Sequence, residues 1–195
     1  MAELYLIRNG HTQPTQQVTD PYSAGLTAEG LAQARALAHA CAGWDIQYLG
    51  VSTTLHSQET ADIIHARLPQ TMRRDMQDLE DVTLDDLNLD PTASHRLETW
   101  SPDQRRAALR QAWTRVTAAL ARVLLYCEHN ALERIALVAG EAVLQLVLLS
   151  YLGLDWRVDE HLTIALDRVP VEDAVEFIIE ALEKRGQFGD DSSPR

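Results

Sequence analysis

One stretch near the start decides the fold of this chain: Leu4-Tyr5-Leu6-Ile7-Arg8-Asn9-Gly10-His11-Thr12. Its first four residues are an unbroken apolar run, which predicts a short strand buried on both faces, as in a parallel sheet. The run stops at Arg8, and the chain then turns through Asn9 and Gly10, so polar groups collect at the carboxyl end of the strand. Because open α/β sheets bind their ligands at that edge, we expect a functional site at this turn.

Length and composition indicate a globular protein of one domain. The chain has 195 residues, of which 46% are hydrophobic and 24% charged, and this is enough to bury a full core. Its 29 acidic and 17 basic residues give a net charge of −12, which argues against attraction to nucleic acid or anionic lipid. A phosphate ligand would therefore need a local positive site within an unfavourable overall field.

The cysteines and the apolar segments indicate a cytoplasmic protein. Cys41 and Cys127 each lie in a helical pattern and are expected to be buried thiols without a disulfide. Residues 143–154 form the longest apolar stretch, which is too short to span a bilayer and is expected to be a core helix. Glu3 leads directly into the first strand, which is not the pattern of a signal peptide. We expect no cofactor, no nucleic acid and no membrane among the partners, and the oligomeric state stays open, with a dimer as one option.

Strands and helices alternate along the rest of the chain. Thr27 is predicted to cap one helix, and Ser101 followed by Pro102 is predicted to open a long helix that ends at 126 or 127. Further strands are predicted at 48–52, 134–138 and 162–166. Further helices are predicted at 55–68, 141–152 and 171–184. This alternation predicts an α/β fold with a mostly parallel sheet, in one domain over 1–189 with a disordered polar tail at 190–195.

The turn at Arg8-Asn9-Gly10-His11 resembles the opening motif of the histidine phosphatase superfamily, the phosphoglycerate mutase-like proteins. In that family an apolar strand leads into Arg-His-Gly, in which the His accepts the phosphoryl group and the Arg holds its oxygens. Arg8 and Gly10 match this motif, whereas Asn9 stands at the position of the nucleophile. An amide lacks the nucleophilic nitrogen lone pair of an imidazole, so Asn9 cannot form a phosphoenzyme.

Residues 52–61 resemble the second motif of the family, Ser-Pro-Leu-x-Arg-Ala-x-Gln-Thr-Ala. Ser52, Thr60 and Ala61 match this motif, but His56 replaces the second phosphate-binding Arg. The helix that Thr27 is expected to cap also begins as in the family, with Leu-Thr-x-x-Gly at 26–30. The resemblance therefore implies that His56 faces the same pocket as Arg8.

A third segment resembles the family's Val-Ser-His-Gly-Gly-Val motif and the helix after it, which ends in Leu-Gly-Leu. Val138, Val143 and residues 152–154 match. Gly140, however, stands at the position of the second catalytic His, and Glu141 follows where the family has Gly. The resemblance covers about residues 2–166 and implies a three-layer α/β/α sandwich of the phosphoglycerate mutase type.

The segment 75–90 carries seven acidic residues. Within Leu79-Glu80-Asp81, the resemblance places Asp81 at the position of the family's proton-donating Glu. The aromatic-Gly segment that follows this Glu in the family is absent here. Composition alone favours a solvated acidic loop.

The sequence keeps only Arg8 of the two His and two Arg that handle phosphate in the family. Removing one preorganised charge contact from such a site costs ~10²–10³ in rate, and removing the nucleophile abolishes the covalent route. We therefore interpret the chain as a pseudo-phosphatase, a binding or regulatory scaffold for a phosphorylated small molecule or a protein partner. If active, it would be a phosphomonoester hydrolase or a phosphoglycerate mutase-like enzyme.

Two alternatives stay open at this point. In the first, His11 is a relocated nucleophile, and Arg8 and a protonated His56 bind the phosphate. Asp81 or Glu141 would then supply the proton. The simpler interpretation makes His11 a loop residue and His56 a surface residue at a helix N-terminus. In the second alternative, His11, His56 and Glu141 bind a transition metal such as zinc.

Arg8 itself has two interpretations, because a charge that follows a buried strand is rarely left unpaired. Its planar guanidinium either captures an anion or forms a salt bridge with Glu141, which the resemblance places in the same pocket. In the second case the protein's own carboxylate fills the phosphate site.

Overall fold

In the computed structural model, residues 3–12, 23–81 and 101–152 are described. The chain divides into two compact units, Met1–Leu154 and Asp155–Arg195, and every described residue belongs to the first. The strand predicted at 162–166, the helix at 171–184 and the tail at 190–195 lie outside the described residues. The single domain over 1–189 therefore stays a prediction.

Within the described residues, four parallel strands form one sheet in the order β1-β4-β2-β3. They are β1 (Glu3–Arg8), β2 (Tyr48–Ser52), β3 (Met72–Met76) and β4 (Arg134–Ala139). In the central rows, Ile7 lies opposite Val138, which in turn lies opposite Val51. The predicted strands at 4–7, 48–52 and 134–138 are confirmed, and their carboxyl ends meet at one edge because all strands run the same way.

Helices cover both faces of this sheet. They are α1 (Ala28–Cys41), α2 (Leu55–His65), α3 (Pro102–His129) and α4 (Glu141–Tyr151). On one face, α1 and α2 pack through Ala38 and Ile64 onto Leu49. On the other face, α3 packs through Val123 onto Tyr48, which points the opposite way from its neighbour in β2. The predicted α/β/α sandwich with a parallel sheet is therefore confirmed.

The predicted helix starts are also confirmed. The Thr27 hydroxyl accepts a hydrogen bond from the Gly30 N–H at 3.1 Å, as an N-cap does. Ser101 and Gln104 form a reciprocal capping box at the start of α3. The end of α2 was placed too far along the chain, since the helix stops at His65 rather than 68. Pro69 disfavours a helical conformation at Leu68, so the helix cannot include the predicted last residue.

No sequence pattern predicts β3, and the expectation of a solvated acidic loop is wrong for residues 75–79. Asp75 belongs to β3, and residues 77–79 form a 3-10 turn with a buried Leu79. β3 is polar and mostly exposed, so it lacks the apolar pattern of a buried strand. Backbone pairing with β2 forms it instead. Residues 82–90 of the acidic segment lie outside the described residues.

The two cysteines are free and buried, as predicted. Burial raises the pKa of the Cys41 thiol to about 11 and also raises the pKa of Cys127, so both thiols are protonated near neutral pH. Within residues 3–12, 23–81 and 101–152, no helix is both long enough and apolar enough to cross a membrane.

Candidate functional site

The candidate site lies at the carboxyl edge of the sheet, where the turns after the strands meet. Arg8 ends β1, and the Asn9 N–H donates a hydrogen bond to the Ala139 carbonyl at the end of β4, at 3.2 Å. Gly140 follows β4 and is the N-cap of α4. His56 is the second residue of α2, which begins shortly after β2 ends. The parallel topology thus places the segments of the three motifs at one edge.

Arg8 and Glu141 form the ion pair that the sequence indicated as one of two possibilities. Arg8 Nη1 lies 2.9 Å from Glu141 Oε2. Glu141 is the first residue of α4, where a carboxylate is also favoured by the helix dipole. The Arg8 side chain is 54% exposed and that of Glu141 35%, so the pair stabilises the fold by no more than about 1 kcal/mol.

His56 is a buried residue, which corrects the expectation that it lies on the surface. Only 6% of it is exposed, because its ring points inward from the first turn of α2. Its Nδ1 lies 3.2 Å from the Ala24 carbonyl oxygen, which can only accept a hydrogen bond, so Nδ1 carries a proton. Nε2 lies 3.8 Å from Asp81 Oδ2. The ring is therefore fixed with Nε2 directed at a carboxylate.

Asp81 also contacts Gly140, which the motif resemblance places at the position of the family's second His. A β-carbon on Gly140 would overlap Asp81 Oδ1 and lie 2.6 Å from its Cγ. The Gly140 backbone has φ −70° and ψ 160°, which any residue adopts. The carboxylate of Asp81, and not the backbone conformation, thus accounts for the lack of room for a side chain at position 140.

The segment that carries Asp81 is held by Arg115 of α3. Arg115 Nη1 donates hydrogen bonds to the carbonyls of Glu80 at 2.8 Å and Asp78 at 3.0 Å. Its Nη2 donates to the carbonyl of Asp81 at 3.4 Å. Sequence reasoning missed Arg115, because a polar residue on an amphipathic helix gives no sign of the backbone that it will contact.

His11 makes its hydrogen bonds with α1. Its side chain is exposed, with Nδ1 3.0 Å from the Thr27 hydroxyl, and its N–H donates to Gln33 Oε1 at 2.8 Å. The Asn9 side chain is also occupied locally, since its Nδ2 donates to the Gly10 carbonyl at 3.0 Å. The exposed ring and these local hydrogen bonds fit the simpler interpretation of His11 as a loop residue.

The hypothesised metal site at His11, His56 and Glu141 is not formed. Each of the three side chains has a separate partner: Thr27 for His11, Asp81 for His56 and Arg8 for Glu141. Across the part of the chain that the structure describes, no group of three or more His, Cys, Asp or Glu side chains is arranged to bind a metal ion.

The turn after β1 is fixed by contacts that its backbone makes with α1 and α2. The Gly10 N–H donates to the Thr60 hydroxyl at 3.0 Å, and this hydroxyl donates to the His56 carbonyl at 2.7 Å. A β-carbon on Gly10 would lie 2.6 Å from the Gly30 carbonyl oxygen, and one on Gly30 would overlap the His11 carbonyl oxygen. Gly10 and Gly30 therefore allow the turn and α1 to touch backbone to backbone.

Five residues at this edge form one connected row of contacts, which we call the carboxylate pocket: Arg8, Glu141, Gly140, Asp81 and His56. Its two basic side chains each face a carboxylate of the same chain. The net charge that the pocket offers a phosphate is therefore much lower than Arg8 and His56 would give by themselves.

Comparisons with known proteins bear on this site. The model of the histidine phosphatase superfamily (branch 1) matches residues 4–169 of the chain. No curated protein matches the sequence.

Solved structures share the fold. The α-ribazole phosphatase of Shigella flexneri superposes with a TM-score of 0.60 at 23% identity, covering 78% of this chain and 80% of that one. A mycobacterial glucosyl-3-phosphoglycerate phosphatase, solved with VO3, gives 0.58 at 17% identity, covering 78% and 81%. The phosphoserine phosphatase of Entamoeba histolytica, solved with 3-phosphoglyceric acid, gives 0.51 at 18% identity, covering 79% and 81%. At these identities the likeness is one of fold.

Proposed function

We propose that this chain, which belongs to the histidine phosphatase superfamily, is a pseudo-phosphatase that acts as a binding or regulatory scaffold. The observation that carries the proposal is Asn9 at the position of the family's nucleophile. Its side-chain nitrogen is an amide that donates to the Gly10 carbonyl, so it offers no lone pair to phosphorus. Without a nucleophile, the covalent route to phosphoryl transfer is closed.

The carboxylate pocket supports the same proposal. Phosphoryl transfer needs cations around the oxygens of the transferred group, where negative charge is spread. Here the guanidinium of Arg8 faces Glu141, and the imidazole of His56 faces Asp81. An incoming phosphate would have to displace or approach these carboxylates. Of the two kinds of partner that the sequence suggested, a protein therefore suits this pocket better than a phosphorylated small molecule, and the proposed role is recognition of that partner in the cytoplasm without hydrolysis.

One observation favours a second candidate, a phosphomonoesterase with relocated groups. His56 is buried, its Nδ1 is held by the Ala24 carbonyl, and its Nε2 faces Asp81, so the chain has an oriented imidazole–carboxylate pair. His11, the nucleophile that the sequence suggested, has no such setting because its ring is exposed beside Thr27. If this candidate is right, His56 is the more firmly oriented of the two imidazoles, and its Nε2 would have to turn from Asp81 to reach a phosphate.

Hydrolysis of a panel of phosphomonoesters by purified protein tests both candidates. The wild type is run beside Arg8→Ala, His11→Ala and His56→Ala, with His39→Ala as a control because His39 is an exposed histidine in the last turn of α1. We expect no turnover above that of the variants. Turnover that is lost in His56→Ala or His11→Ala but kept in His39→Ala would overturn the pseudo-phosphatase and identify the catalytic imidazole.

A further inference from the structure

We propose that Asp81 is a specificity-determining residue that Arg115 holds in the space beside Gly140, where its carboxylate excludes phosphoryl groups from the pocket. This inference rests on the proposed function, because it explains how a phosphatase fold with Arg8 still present would reject phosphate. Asp81 would exclude phosphoryl groups, and Arg115 would act only by positioning Asp81.

The first observation is that residue 140 is a glycine whose backbone does not require one. A glycine is needed where φ is positive or where another group approaches the Cα closely. Gly140 has φ −70°, so the first reason does not apply. The three heavy atoms nearest to a β-carbon at this position are all in the carboxylate group of Asp81. Asp81 and Gly140 are therefore complementary, and the carboxylate takes the volume in which a side chain at 140 would begin.

The second step is that Asp81 is held there through its backbone. The guanidinium of Arg115 contacts carbonyls of the 3-10 turn and of the residues after it, including those of Glu80 and Asp81. The turn is fixed again by Arg122, which forms an ion pair with the Asp78 carboxylate. The Glu80 side chain accepts a hydrogen bond from the Thr53 hydroxyl. A segment anchored at several points keeps the Asp81 side chain from swinging out of the pocket.

The third step is electrostatic. Asp81 Oδ2 lies 3.8 Å from His56 Nε2, so a carboxylate stands beside the imidazole in the pocket. A phosphoryl group beside Gly140 would lie next to this carboxylate. Neighbouring like charges in a partly buried site repel strongly. A ligand in this pocket would therefore need a neutral or hydrogen-bond-donating group next to Asp81, with any anionic group turned toward Arg8.

Binding of inorganic phosphate and of orthovanadate, measured by calorimetry at neutral pH, tests the inference. We expect Asp81→Asn to raise the affinity for both anions by roughly tenfold or more, because the size of the side chain is kept while its charge is lost. The matched control is Asp45→Asn, which makes the same charge change next to Arg134 at the start of β4, away from the carboxyl edge of the sheet, with an expected change below about twofold. Equal affinities in wild type and Asp81→Asn would overturn the inference.

Arg115→Met distinguishes a positioning role from a merely structural one. Loss of a positive charge should by itself weaken anion binding. If Arg115 holds Asp81 in the pocket, its loss should instead increase phosphate affinity, even though thermal stability falls. Weaker phosphate binding in Arg115→Met than in wild type would contradict the positioning role.

A double-mutant cycle tests the contact without any ligand. We expect Gly140→Ala to lower Tm by about 3–10 °C in the wild type, because the new methyl group meets the Asp81 carboxylate. In an Asp81→Ala background the same substitution should lower Tm by less than about 2 °C. An equal loss in both backgrounds would show that Gly140 serves another purpose and would overturn the inference.

Hydrolysis assays on the same variants separate failure of the inference from failure of the proposed function. Wild-type turnover that is lost in Asp81→Asn, with no gain in phosphate affinity, would make Asp81 a proton donor and overturn both. No turnover together with unchanged phosphate affinity would overturn only the inference.

Discussion

The turn after β1 and the start of α4 lie at the same edge of the sheet, yet they are built differently. In the first region, Gly10 and Gly30 bring two backbones into direct contact, and the Thr60 hydroxyl joins the turn to α2. In the second, Gly140 and Glu141 contact the side chains of Asp81 and Arg8. Backbone contacts leave little choice of residue, whereas side-chain contacts permit replacements as long as partners change together.

This difference separates fold from chemistry. The residues that match the family's motifs include Gly10, Thr60 and the Leu-Thr-x-x-Gly segment, all of which fix the backbone. On the resemblance to the family's motifs, the positions that differ include Asn9, His56 and Gly140, where the family carries side chains that act on a phosphate. A chain can therefore keep the backbone of these turns while the side chains at the edge of the sheet are exchanged.

The largest effect is expected where backbone meets backbone. Gly30→Ala should lower the free energy of unfolding by about 2–3 kcal/mol, because the new methyl group overlaps the His11 carbonyl and outweighs the gain in helix propensity. Gly43→Ala is the matched control, since its β-carbon would meet only the Ala40 carbonyl oxygen at 3.7 Å. Urea denaturation of both variants measures the difference, and equal stabilities would remove the contrast between the two regions.

A smaller effect is expected at the hydrogen bond that joins the turn to α2. Thr60→Val keeps the size of the side chain but leaves the buried Gly10 N–H without its acceptor, at a cost of about 1–3 kcal/mol. Thr60→Ser keeps the hydroxyl and should lose less. A Thr60→Val protein as stable as Thr60→Ser would mean that the hydroxyl does not anchor the turn.

The smallest effect on stability is expected in the second region, at the exposed pair of Arg8 and Glu141. A double-mutant cycle with Arg8→Gln and Glu141→Gln should give a coupling free energy below about 1 kcal/mol, and added salt should reduce it further. A coupling above about 2 kcal/mol would show a tightly held pair and would remove the distinction between rigid backbone and replaceable side chains.

Local signals explain which parts of the fold could be predicted. The buried strands β2 and β4 can be identified from their apolar runs. Thr27 and Ser101 can be identified as caps because each accepts a hydrogen bond from the N–H three residues later. β3 gives no such signal, because Met72-Arg73-Arg74-Asp75-Met76 is polar and is formed by pairing with β2. Residue propensities and the hydrophobic pattern do not identify a strand that is stabilised by pairing with its neighbour.

The candidate site was predictable only in part, for a related reason. Family resemblance placed Arg8 and Glu141 at one edge, so their ion pair could be anticipated. The burial of His56 and the approach of Asp81 to Gly140 depend on where the 3-10 turn packs. That packing is set by Arg115, far along the chain, and no pattern around Asp81 encodes it.

The most direct test of the proposed loss of phosphoryl transfer is to look for the phosphoenzyme itself. Purified wild-type protein is incubated with a reactive phosphoryl donor such as acetyl phosphate, quenched, and examined by intact-mass spectrometry under conditions that preserve phosphohistidine. Because Asn9 offers no nucleophilic nitrogen, we predict no phosphoryl adduct on the folded protein. A stoichiometric adduct that disappears in His56→Ala or His11→Ala would contradict the pseudo-phosphatase and establish a relocated nucleophile.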